Sequence, residues 1–378
     1  MTKPRLLILS FSPIASDARV LKQIELFRSE YEVTTCGYGP PVEGTAGHIE
    51  IPAQLQVWQY PRLLVVLRRY RRAYWGSAAI SYAREALSGR SFDVVLANDV
   101  DAVGLALAVQ PDGAVHADLH EYSPRQHEEL LRFRVFVRPF VEWMCRRFVA
   151  RAASWSTVSG GLAREYRRRF GFDAEVVTNA APYVPAEPTP VSTPIRLVHS
   201  GAALRNRDLA STIRAVQAST ADVTLDLFVT PNEPDYVAEL RELAAATPDR
   251  VRVNDPVPYA ELAATLRRFD VGIFILAPTN FNYRWALPNK LFDYVQARLG
   301  VIVGPSPEMA EYVRRYGLGV VTADFQAPAL TDAVDAMTVA DVARWKAAAA
   351  SSAHELSSEQ QVLRWKRAVD ALAAREAR

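Results

Sequence analysis

The segment Ala286-Leu-Pro-Asn-Lys-Leu-Phe-Asp-Tyr-Val-Gln-Ala-Arg-Leu-Gly300, followed by Val301-Ile-Val303, constrains the fold more than any other. Pro288 has no backbone N–H and suits the first turn of a helix. Leu291, Phe292 and Val295 recur at helical spacing, and Gly300 is expected to stop the helix. Val301–Val303 is a short β-branched run, the pattern of a parallel strand buried on both faces. A helix starting at Asn289 would offer unpaired N–H groups and a positive dipole end to a phosphate. Asp293, about one turn in, is an acceptor-only carboxylate suited to sugar hydroxyls. The segment therefore reads as a nucleotide seat or, equally, as an ordinary amphipathic helix with a solvated aspartate.

The same alternation runs through the chain. Arg5–Phe11 reads as a buried strand, Ser12–Asp17 as the loop after it, Arg19–Tyr31 as a helix and Glu32–Tyr38 as a second strand. Further strands are expected at Phe92–Ala97, Ala114–Asp118 and Ser154–Val158. After a run of prolines (182, 185, 188, 190 and 194) the pattern restarts with strands at Ile195–His199, Thr224–Val229, Val251–Asn254 and Val271–Ile275. Helices are expected between them at Asp208–Ala218, Asp235–Ala245 and Tyr259–Arg268. This is the grammar of a doubly wound α/β fold. A chain of 378 residues exceeds what one core supports. The expected division is therefore a Rossmann-like domain over 1–181, a proline-rich linker at 182–194, a second such domain over 195–356 and a final helical segment at 357–378.

Ligand groups in such sheets gather beyond the carboxyl ends of the strands, which singles out Asp99, His120 and Glu121. Asp99 serves equally as a helix N-cap, and Glu121 equally as a helix start or a support for His120. The Ser12–Asp17 loop holds no glycine, which disfavours a dinucleotide site of the GxGxxG type. Asp17 is best placed as the N-cap of the following helix. Composition is that of a globular chain, with 49% hydrophobic and 23% charged residues. Cys36 and Cys145 lack metal or CxxC spacing, and two free thiols point to the cytoplasm. No apolar run approaches the roughly 18 residues that span a bilayer, and no metal-ligand cluster is visible.

Asn289-Lys-Leu-Phe-Asp-Tyr294, Gly300-Val-Ile-Val303 and Pro307-Glu-Met309 together resemble the nucleotide-binding signature of the GT-B glycosyltransferases of family four. Asp118-Leu-His-Glu-Tyr122 resembles the family's DxHEx segment, and Asp17-Ala-Arg-Val-Leu-Lys22 its acceptor-side opening. The resemblance implies two Rossmann-like domains facing a central cleft, with the donor held mainly by the second and the acceptor by the first. It implies donor contacts from Gly201, Arg205, Arg207, Asn289, Lys290, Leu291 and Asp293; Asn282 and Tyr283 are expected to hold sugar hydroxyls from their placement in the preceding loop alone. It implies catalytic roles for His120 and Glu121, which Asp99 joins by its place at a strand end, and an acceptor side that includes Ser12 and Asp17. A guanidinium at 205 or 207 would grip phosphate oxygens through bidentate bonds. The sequence departs from the family at Trp285, where many members carry a second acid eight residues before the one matched by Asp293.

The implied activity is transfer of a sugar from a nucleoside-diphosphate sugar (UDP ahead of GDP) to a hydroxyl acceptor, with retention of configuration and no other cofactor. Alternatives are a non-hydrolysing nucleotide-sugar epimerase and a non-catalytic nucleotide-binding subunit of a glycan-assembly complex. Arg62–Trp75 and Arg132–Arg151 interleave arginines with aromatics, which suits solvated amphipathic helices or contact with an anionic membrane. The expected acceptor is a glycan or lipid-linked glycan of the bacterial cell surface, met at the inner face of the plasma membrane. No nucleic-acid module accompanies the basic stretches, so nucleic acid is not an expected partner.

Overall fold

The structure, a computed structural model, describes residues 3–110 and 114–376. The chain forms two compact units. The first comprises the described residues up to Thr178, the short segment Asn280–Asn282, and those from Val362 onward; the second comprises Asn179–Thr279 and Tyr283–Gln361.

The first unit contains β1 (Arg5–Pro13), β2 (Glu32–Tyr38), β3 (Gly47–Ile51), β4 (Val94–Asn98), β5 (Val115–Leu119), β6 (Ser154–Thr157) and β7 (Glu175–Val176). They pair in the order β3-β2-β1-β4-β5-β6-β7, and every pairing is parallel. Parallel strands must be covered on both faces, which is why Leu6–Leu9 and Val94–Ala97 are all fully buried. The chain order reverses between β1 and β4, so a crevice opens at their carboxyl ends. β3, Gly-His-Ile-Glu-Ile, was not among the expected strands; it is a short edge strand with only two apolar side chains.

The second unit repeats the plan with β8 (Ile195–Ala202), β9 (Val223–Thr230), β10 (Val251–Asn254), β11 (Val271–Phe274), β12 (Gly300–Val303) and β13 (Gly319–Val321). Their order is β10-β9-β8-β11-β12-β13, again parallel throughout, with the reversal between β8 and β11. The helix expected near residue 289 spans Asn289–Gln296. Gly300 does not stop it. The helix closes earlier, with Arg298 at a φ of 63°, and Gly300 is the first residue of β12. A Cβ there would lie 2.9 Å from Trp345, so this glycine makes room for the indole.

The proline-rich stretch is part of the second unit rather than a free linker, and buried charges account for this. The Arg298 guanidinium, almost fully buried, donates to the carbonyls of Ala186 (3.0 Å), Val184 (2.6 Å) and Gln296 (2.8 Å). Asp270 accepts from the amides of Ser192 and Arg196 and pairs with Lys346 at 2.8 Å, both side chains being no more than 2% exposed. A buried charge needs such partners, and the backbone of this stretch supplies them.

The final helix, Leu363–Glu376, buries Trp365, Val369 and Leu372 in the first unit's core beside Leu6, Ile8 and Val94. No helix among the described residues is long and apolar enough to cross a membrane. Trp365→Ala should lower stability by about 3–5 kcal/mol, the usual cost of truncating a buried tryptophan. Urea unfolding followed at the first unit would measure it, and a loss within the error of the wild type would show that the helix does not support that core.

Candidate functional sites at the carboxyl ends of the two sheets

In the first unit the site grows from a buried ion pair. Asp118, at the end of β5 and fully buried, accepts from Arg19 Nε and Nη2, each at 2.7 Å. It also accepts from Ser156 Oγ at 2.5 Å and Gln23 Nε2 at 3.0 Å. Burial alone would raise the Asp118 carboxyl, but Arg19 and His120 hold it well below the usual carboxylate range. Asp118 is thus a fixed anion.

His120 is held on both sides. Its amide donates to Asp99 Oδ1 at 3.0 Å, Nδ1 lies 3.4 Å from Asp99 Oδ2, and Nε2 lies 3.0 Å from Asn98 Oδ1 and 3.3 Å from Asp118 Oδ2. Burial works against its charge, yet Asp99 and Asp118 outweigh it and raise the pKa. With acceptors at both ring nitrogens, His120 is held as a donor rather than as a base. Asp99 sits in the left-handed region (φ 64°), a conformation unusual outside glycine and often found at functional positions. Its side chain remains 43% exposed. Burial raises Glu121 to about 7, with Asp99 adding to the effect, while His120 and a hydrogen bond from Gln126 oppose it. A carboxyl poised near neutrality suits proton transfer.

Other expected residues of this unit have local roles. Asp17 caps the helix Ala18–Phe27, accepting from the amides of Arg19 and Val20. Ser12 Oγ shares a hydrogen bond with Ser10 Oγ at 2.8 Å. Asn282 groups with this unit, accepting from the Tyr122 amide at 2.9 Å, whereas the expectation had placed it beside Tyr283 on the donor. Tyr283 belongs to the second unit, where its hydroxyl accepts from Asn206 Nδ2 at 3.2 Å. Asn98 and Gln23 were missed. Asn98's place beside Asp99 at the end of β4 was the available signal; nothing in the sequence joins Gln23 to it.

In the second unit, Gly201 (φ 133°), the penultimate residue of β8, lies close beneath a lysine, since a Cβ on it would meet Lys290 Nζ at 2.3 Å and Arg207 Nη1 at 3.9 Å. Only glycine permits that approach. Two cations therefore converge at the switch point beside the start of the helix Asn289–Gln296. Lys290 also lies over the Phe274 ring at 5.1 Å. Burial, and then the neighbouring Arg207, lower Lys290 to about 8 against the pull of Asp293. Arg207 Nε is buried without a hydrogen-bond partner. His199 beneath them donates through Nδ1 to the Ile273 carbonyl, and burial with the two cations lowers it to about 3, so it stays neutral. Such converging, preorganised donors suit an anion.

Arg205 is engaged elsewhere, since its guanidinium forks onto Glu239, sits 3.7 Å from Glu233 and stacks on Tyr236. That neutralises the charge a phosphate would need. Leu291 is 2% exposed in the core, and its amide donates to the Pro288 carbonyl at 3.2 Å, so packing is the role visible for it. Asn289 is exposed at the helix start, and Asp293 is partly exposed one turn on. Among the described residues no group of three or more His, Cys, Asp or Glu is arranged to hold a metal ion.

Two titrations test these environments. Inorganic pyrophosphate should bind the second unit with proton uptake at pH about 9, because an anion restores Lys290 towards its ordinary 10.5. Calorimetry in buffers of different ionisation enthalpy reads it, and Lys290→Met should abolish the uptake. The folded state holds the Glu121 proton to about pH 7 and the unfolded chain only to about 4.5, so stability should decline as pH rises between them. Glu121→Gln should therefore gain melting temperature relative to wild type across that window and no further above it. A flat difference would mean the carboxyl is not buried as described.

No protein-family model matches the chain, and no curated protein matches it. Solved structures do. The Anabaena Alr3699/HepE protein in complex with UDP and glucose is similar over 97% of this chain and 100% of its own, with a TM-score of 0.70 at 13% identity. The trehalose 6-phosphate synthase of Burkholderia multivorans is similar over 99% of both chains (TM-score 0.68, 11% identity). The sucrose-phosphate synthase of Thermosynechococcus elongatus covers 98% of this chain and 100% of its own (TM-score 0.73, 12% identity). Together with the two parallel sheets, these similarities show that the chain has the two-domain α/β fold of the GT-B glycosyltransferases.

Proposed function

We propose that the chain is a glycosyltransferase that moves a sugar from a nucleoside-diphosphate sugar to a hydroxyl acceptor. The observation that carries this reading is the Lys290–Arg207 pair around Gly201, with Arg207 Nε buried and unpartnered at a helix start. Such a site answers the charge that grows on a leaving diphosphate. UDP is the first choice of nucleotide, because the similar HepE protein was crystallised with UDP and with UDP-glucose; GDP is the second.

In the reaction the bond from the anomeric carbon to the diphosphate oxygen breaks, and a new bond forms from that carbon to the acceptor oxygen. Arg207, Lys290 and the helix at Asn289 would hold the departing diphosphate. Glu121, near neutrality, or Asp99 would take the acceptor's proton, and His120, whose amide and Nδ1 face Asp99, would orient that carboxylate for the step. Asp293, Asn289 and Tyr283 would complete the donor's seat. The likeness of Asp118–Tyr122 and Asn289–Met309 to family four supports retention of configuration. The arginine-aromatic stretches support work at the inner face of the membrane on a cell-surface glycan or its lipid-linked precursor. Trp285, in the place of a second acid, favours as second reading a subunit that binds nucleotide without turnover.

A thermal-shift comparison of UDP and GDP tests the reading. A ligand at 100 times its Kd adds about 2.7 kcal/mol to stability, so UDP should raise the melting temperature of wild type clearly and that of Arg207→Ala little. No shift with either nucleotide would overturn the reading. Binding without consumption of any UDP-sugar in the presence of acceptors would favour the second.

A further inference from the structure

The first unit contains a cavity of about 590 Å³ that neither candidate site accounts for. It lies within the usual range for small-molecule pockets, about 300–1,000 Å³. Its walls come from the two stretches that interleave arginines with aromatics, and they are largely apolar, with Val65, Phe133, Phe136, Phe140, Val141 and Met144 prominent. One wall is a π-helical turn, Phe133–Val137, a rare form found disproportionately at functional positions. The floor is polar at one point, where Tyr60 donates to Asp101 Oδ1 at 2.5 Å.

Two features of the surroundings indicate what fills it. Around the opening, apolar lining side chains stand in solvent: Trp58 is 68% exposed, Val66 48% and Leu130 42%. Among these lie Arg62 and Arg132, both exposed lining residues, and among the described residues neither is in an ion pair. An apolar interior behind a rim of apolar and unpaired cationic side chains complements a hydrocarbon chain attached to an anionic head. The cavity also adjoins the catalytic candidates. Val100 and Asp101 follow Asp99 directly, and Gln126, another lining residue, hydrogen-bonds Glu121.

We propose that this cavity holds the hydrocarbon segment next to the head group of a phosphate-bearing lipid acceptor, with the phosphate against the arginine rim. That the lipid is an acceptor rests on the transferase reading; lipid binding itself does not. Met144 lets the floor adapt to chain shape.

The test uses the full chain and cis-parinaric acid, a fluorescent fatty acid, as probe. The probe should bind saturably, and dodecyl phosphate should displace it at least about tenfold more effectively than dodecanol, a difference of about 1.4 kcal/mol; inorganic phosphate should not displace it. Val66→Trp with Val137→Trp, two partly exposed lining positions, should weaken probe binding by about tenfold or more while the UDP thermal shift is unchanged. Arg62→Glu with Arg132→Glu should remove the preference for dodecyl phosphate over dodecanol. Unchanged probe affinity in the tryptophan variant, or displacement by inorganic phosphate, would overturn the proposal. Loss of the UDP shift alongside intact probe binding would instead strike the transferase reading and leave the lipid site standing.

Discussion

The ion pair between Arg19 and Asp118 is the interaction on which the first unit turns. Two buried charges cost several kcal/mol each to desolvate, and a bidentate pair only roughly offsets that. Its value here lies in specificity. Asp118 fixes the end of β5 to the first helix through Arg19, to β6 through Ser156, and to the last helix through Trp365, whose Nε1 donates to Ser156 Oγ at 3.0 Å. The carboxylate that organises these elements also faces His120 Nε2. The catalytic candidate faces one oxygen of the carboxylate whose other oxygen ties in Ser156 and Trp365.

The second unit shows the opposite electrostatics. There, burial and proximity set Lys290 and Arg207 against each other over a glycine, and the nearest carboxylate only partly relieves them. A protein keeps such an arrangement rigid by packing: the lysine lies over Phe274, and Arg298 and Lys346 fasten the helix and strand ends behind it. An anion is the component that would make this group of residues mutually favourable.

Much of this plan was legible in the sequence. Strands buried on both faces read as short β-branched runs, and Glu32–Tyr38 and Val251–Asn254 fall where expected. The fold class followed from the alternation. What escaped was everything that depends on distant residues meeting. The Arg19–Asp118 pair joins positions 99 residues apart, so no local pattern announces it. Arg205 and Arg207 look alike in sequence, and only the positions of Glu239 and Glu233 separate their roles. Asn282 and Tyr283 are neighbours in the chain but have partners in different units. The two arginine-aromatic stretches read as surface features, and the cavity appears only once they pack against each other.

The placement of Trp365 also bears on how the molecule is made. The second unit is built almost entirely from contiguous sequence, whereas the first takes its core from both ends of the chain. During synthesis the first sheet therefore emerges with a gap where the indole belongs, beside an ion pair still open to water. At about 5–20 residues per second, the roughly 190 residues between Thr178 and Trp365 would take about 10–40 s to follow. Throughout that interval the nascent first unit would expose the apolar face that the last helix covers. The half that begins first is the half that finishes last, and its vulnerability to aggregation or chaperone capture is set by the ribosome's pace rather than by its own folding rate.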